Sequence, residues 1–81
     1  MTPAESTVIK ALEEVILGKG RPIPKLSPET VLDHQLGLES LDFAELVIRL
    51  EEATGKDPFG ARTTPQVRTI SDLAALYEPP Q

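Results

Sequence analysis

The residue in this 81-residue chain best placed to do chemistry is Ser40, in the stretch Leu36-Gly37-Leu38-Glu39-Ser40-Leu41-Asp42-Phe43-Ala44-Glu45-Leu46. There a glycine-containing loop runs into a helical pattern. A serine at a helix start serves as a cap, accepting a backbone N–H for about 1 kcal/mol. Alternatively it is an attachment point for an anionic group, because the unpaired N–H groups and the positive end of the helix dipole favour a phosphate. Spacing alone does not choose between these two. Nucleophilic catalysis is disfavoured, since Gly37-Leu38-Glu39-Ser40-Leu41 lacks the second glycine of a nucleophile elbow. His34 is the only histidine and falls in a loop, and Glu39 and Asp42 are weak bases at neutral pH. No catalytic residue is therefore assigned. Glu39, Asp42 and Glu45 offer at most weak surface binding of a divalent cation, so no metal site is assigned either.

The element that positions Ser40 begins at Glu39 or Ser40 and stops near Gly55. Phe43, Leu46, Val47 and Leu50 recur at i, i+3, i+4 and i+7, predicting its buried stripe. Leu41, Glu45, Ile48 and Glu52 form a second stripe that mixes acids with apolar side chains, as a partner-binding face would. A first helix is predicted over residues 3–17: Thr2 caps, Pro3 fits the first helical position, and Glu5 closes a capping box. Its inner face is Val8, Ile9, Leu12, Val15 and Ile16, and Gly18 supplies the left-handed stop.

Between Gly18 and Gly37, Gly20, Pro22, Pro24 and Pro28 forbid a long helix. The apolar residues Ile23, Leu26, Val31, Leu32, Leu36 and Leu38 are expected to fold this long loop back over the core, with a short helical turn at Ser27-Pro28-Glu29-Thr30. A structured loop of this length is usually functional. Past Gly55 a turn leads to a segment from Ala61 to Gln66, broken by Pro65, that has room for a turn or two of helix. A last helix spans residues 69–77, capped by Thr69 or Ser71, with Ile70, Leu73, Leu76 and Tyr77 facing inward. There is no repeat and no strand alternation, so the reading is a small all-α bundle of three main helices. Residues 1–78 are expected to form a single domain and residues 79–81 a C-terminal tail.

Composition sets the remaining bounds. The formal charge of −5 and the scattering of eight Lys and Arg argue against nucleic acid as a partner. With two Phe, one Tyr and no Trp, the core must be aliphatic. The absence of cysteine removes disulfides, thiolate metal sites and a thiol nucleophile. No segment approaches the ~20 apolar residues of a membrane span, and the N-terminus lacks signal-peptide features. The expectation is a soluble, cytoplasmic monomer.

Leu36-Gly37-Leu38-Glu39-Ser40-Leu41-Asp42 resembles the attachment motif of acyl carrier proteins, LGxDSL, often followed by Asp; Glu45-Leu46-Val47 and Leu50-Glu51-Glu52 match as well. The resemblance extends to the order of elements and to Val67-Arg68-Thr69-Ile70-Ser71-Asp72-Leu73 at the last helix. It implies a four-helix carrier-type bundle whose third helix is short or frayed. It also implies that a phosphopantetheinyl transferase, using coenzyme A, attaches 4'-phosphopantetheine to Ser40. The arm's thiol would hold acyl or aminoacyl groups as thioesters. Further partners implied are a loading ligase or transferase and downstream synthases of a lipid or secondary-metabolite pathway. By the same resemblance Glu39, Leu41, Asp42, Glu45, Ile48 and Glu52 match positions that face those enzymes. Departures from the pattern are Glu39 in place of the family's Asp, Thr54 in place of a large apolar residue, an added residue before Phe59, and Arg62 where the third helix usually carries acids. They point to a specialised member. The alternative is an unmodified carrier-fold module that binds a protein through Leu41, Glu45 and Ile48.

Overall fold

Each helix among the described residues opens with a capping-box pair, and these local signals fix where the elements start. Thr2 and Glu5 open α1, Pro3–Gly18. Glu39 and Asp42 open α2, Ser40–Thr54. Thr69 and Asp72 open α3, Ile70–Ala75. The structure, a computed structural model, describes residues 2–32, 36–58 and 67–78. All helices and strands assigned among these are helices, as the all-α expectation required. The short helix expected between Ala61 and Gln66, together with His34, Phe59 and Arg62, lies outside the described residues.

Helix α1 packs against both α2 and α3. Val8, Leu12, Val15 and Ile16 are buried on its inner face, joined by the small residues Ala4 and Ala11. Leu46 and Leu50 of α2 and Ile70, Leu73, Ala74 and Tyr77 from the α3 end complete a core that is aliphatic except for Tyr77. Each fully buried Leu, Ile or Val contributes roughly 1.5–3 kcal/mol. The Tyr77 hydroxyl is buried with no hydrogen-bond partner among the described residues, and burial, followed by the Asp57 and Glu51 charges, pushes the phenol above its usual range.

Several local expectations are corrected. Gly18 does not end α1 in a left-handed conformation; it is the last helical residue, and Gly20 (φ +74°) takes that role. Gly20 N–H donates to Leu17 O at 2.9 Å and Arg21 N–H to Ile16 O at 3.4 Å, the Schellman pattern. Phe43 and Val47 are only partly buried, whereas Leu46 and Leu50 are fully so. Of the two expected caps for α3, Thr69 is the one used, accepting from Asp72 N–H at 3.1 Å. That helix ends at Ala75, and Leu76 and Tyr77 continue it as a tightened turn with bonds to the carbonyls of Leu73 and Ala74.

The long loop is structured, although not wholly as expected. Leu26, Leu32, Leu36 and Leu38 pack on the core, but Ile23 and Val31 are exposed. Ser27 to Thr30 forms a turn closed by Thr30 N–H to Ser27 O at 3.0 Å, not a turn of α-helix. Beyond it the chain is held to the start of α3 by an isolated antiparallel bridge between Val31 and Thr69. Bonds from Leu32 N–H to Arg68 O (2.7 Å), Ile70 N–H to Thr30 O (3.0 Å) and Ser71 N–H to Pro28 O (2.8 Å) complete this seam. Its backbone groups are thereby satisfied without a sheet.

Candidate attachment site at the head of α2

Ser40 is the first residue of α2, and it is not the cap. Glu39, in extended backbone, occupies that position. Its carbonyl accepts the first helical bond from Phe43 N–H at 3.0 Å, and its own N–H donates to Asp42 Oδ2 at 3.0 Å. The Ser40 side chain is exposed and makes no hydrogen bond among the described residues. The hydroxyl is thus excluded from the stabilising role that most often explains a serine at a helix start.

Around it the chain forms a closed polar ring. The Lys19 ammonium donates to Gly37 O at 2.8 Å and also to Asp42 Oδ2, with which it forms an ion pair. One lysine therefore touches the backbone before Ser40 and the carboxylate after it. Gly37 sits at φ +75°, a conformation that costs an L-residue roughly 1–2 kcal/mol. The Arg21 guanidinium also lies directly over it, so that a Cβ there would come within 1.7 Å of Arg21 Nη1. The Lys19 hydrogen bond, then the Glu39 N–H, hold the Asp42 carboxyl below its usual range. Asp42 is therefore an ionised anchor at neutral pH, and not a base for Ser40.

The stripe running down α2 from the serine is exposed. Leu41 is 80% and Ile48 55% exposed, large values for apolar side chains, and Glu45 and Glu52 accompany them on the surface. Leu41, Asp42, Ala44, Glu45 and Ile48 line an open concavity of about 350 Å³. Ala44 escaped the sequence reading, although it lies three residues from Leu41 and four from Ile48 and shares their face. Glu39 and Glu52 do not line this concavity. Arg49 reaches Glu45 and, on α1, Glu14, both at 3.8 Å. Lys19 and Arg21 also went unnoticed, because no sequence spacing links the end of α1 to the head of α2.

A small helical bundle that presents an exposed, unbonded serine at the head of an acidic helix defines a carrier-type domain. The family model for the phosphopantetheine attachment site matches residues 7–77, and the chain belongs to that family. Neither a curated protein nor a solved structure matches it. The family carries 4'-phosphopantetheine covalently on a serine and interacts with phosphopantetheinyl transferases and synthases. The residues here suit such a group: an exposed hydroxyl with no hydrogen bond among the described residues, the N-terminal end of α2, and the Lys19 and Arg21 cations held at Gly37, three residues before it. Among the described residues no helix is long and apolar enough to cross a membrane, and no three metal-ligating side chains come together.

Proposed function

We propose that Ser40 is the attachment residue, and that the chain carries acyl or aminoacyl intermediates as thioesters on 4'-phosphopantetheine, delivering them to enzymes of a lipid or secondary-metabolite pathway. The observation that carries this reading is the exposed Ser40 hydroxyl, released from capping by Glu39. Of the chain's four serines, Ser27 is partly buried and bonded to Thr30, Ser71 is hydrogen-bonded to Glu5, and Ser6 lies within α1, not at the head of a helix. When bound, the arm supplies the thiol that this cysteine-free chain lacks. The chain's own residues present the hydroxyl, hold Asp42 ionised and offer the Leu41, Glu45, Ile48 and Glu52 face to partner enzymes. In this reading the protein is a cytoplasmic carrier, not an enzyme, and it meets a transferase, a loading ligase or transferase, and downstream synthases.

The test is incubation with coenzyme A and a broad-specificity phosphopantetheinyl transferase, followed by intact-mass measurement. One phosphopantetheine should be gained by the native chain and none by Ser40→Ala. An unmodified native chain, or an adduct that survives the substitution, refutes the assignment. A second reading, an unmodified interaction module, is favoured by the exposure of Leu41 and Ile48. Material from the native host that is wholly unmodified yet holds a partner on that face would establish it.

A further inference from the structure

We propose that Lys19 is a positioning residue for the attachment reaction, fixing the backbone that presents the Ser40 hydroxyl to coenzyme A. The inference rests on the reading of Ser40 as the attachment residue. In that reaction the Ser40 Oγ–P bond forms as the pyrophosphate bond of coenzyme A breaks. Adenosine 3',5'-bisphosphate leaves, and the hydroxyl proton passes to the transferase.

The Ser40 side chain makes no hydrogen bond among the described residues, so its direction is set by the backbone from Gly37 to Asp42. Both ends of that stretch are held by one ammonium group, through Gly37 O and Asp42 Oδ2. Asp42 Oδ2 returns to the chain at Glu39 N–H, so the residues flanking Ser40 on either side are tied into one ring. Lys19 is itself aimed by the Schellman turn, in which Gly20 and Arg21 bond back to Leu17 and Ile16. The Arg21 guanidinium over Gly37 closes the same corner. The paired side chains are only 26% and 16% exposed, and so are partly shielded from solvent.

An ion pair near the surface adds little to stability, whereas misplacing a reacting group costs rate steeply. The two roles separate in a kinetic experiment. Transferase kcat and KM are measured by intact mass on the full chain for wild type, Lys19→Met, Lys19→Arg, Asp42→Asn and Lys10→Met, with thermal unfolding of each. Lys19→Met is expected to lower kcat about tenfold without raising KM, since the exposed Leu41, Glu45, Ile48 and Glu52 face that meets the enzyme on this reading is left intact. Lys19→Arg should recover most of the rate, and Lys10→Met, a charge loss elsewhere on α1, should leave kcat unchanged. A folded Lys19→Met with wild-type kcat, or an equal loss in Lys10→Met, overturns the inference and leaves Ser40 as the attachment site. If Lys19→Met fails to fold, Asp42→Asn decides: wild-type kcat there overturns the inference, and a comparable loss supports it. A wild-type chain that is never modified overturns the Ser40 reading, and this inference with it.

Discussion

Asp42 shows how one residue serves structure and site together. It closes the capping pair of α2, and its carboxyl is held low by Lys19 and the Glu39 N–H. Glu5 and Asp72 occupy the equivalent positions in α1 and α3, and the backbone N–H groups of Thr2 and Thr69 lead the causes that lower them too. All three bind a proton more weakly when folded than when unfolded. Their contribution is therefore fully present above the ordinary carboxylate range and is lost as pH falls through the depressed native values. Unfolding midpoints measured from pH 7 to pH 3 should be flat at first and then fall below about pH 4. In Asp42→Asn that acid-side fall should be shallower, because one of the three linked groups no longer titrates. An unchanged slope would show that Asp42 is not linked to folding.

At the scale of elements, α2 has two faces with different work, and substitutions should sort accordingly. Leu46 is fully buried, so Leu46→Ala removes apolar contacts and leaves a cavity at a cost of about 2–5 kcal/mol. Thr69→Ala, which deletes the cap of α3, should cost about 1 kcal/mol. Urea unfolding distinguishes the two, and equal losses would contradict this account of the core. The stripe Leu46/Leu50 and the caps Thr2 and Thr69 were legible because their signals recur within four residues. Phe43 and Val47 had the same spacing as Leu46 but sit at the edge of the stripe, and periodicity does not measure how far a neighbouring helix reaches. The seam between the loop and α3 was not legible at all. It joins Pro28, Thr30 and Leu32 to Arg68, Ile70 and Ser71 through backbone groups, which leave no mark on side-chain pattern.

For the whole molecule, the separation of a buried aliphatic core from an exposed acidic and apolar face is what a carrier requires. On the proposed reading the core holds the shape while the face meets partner enzymes. Glu45→Lys and Ile48→Ala alter that face without touching the core, and surface changes of this kind usually shift stability by less than about 0.5 kcal/mol. On the proposed reading both should raise the transferase KM while leaving the unfolding midpoint unchanged, and Glu45→Lys should do so more at low ionic strength. A KM equal to wild type for both would remove this face from transferase recognition.

The sequence by itself determined the helix starts, the main buried stripe, the exposed line from Leu41 to Glu52 and the prominence of Ser40, because each is written in residue types a few positions apart. The structure showed which local option is taken, with Glu39 at the cap and Gly20 rather than Gly18 turning the chain, and only the tertiary packing decided that Lys19 reaches Gly37 and Asp42. Those bonds span 18 and 23 residues. They exist because packing α1 against α2 brings the end of one helix beside the head of the other, a proximity set by the core and invisible to local spacing.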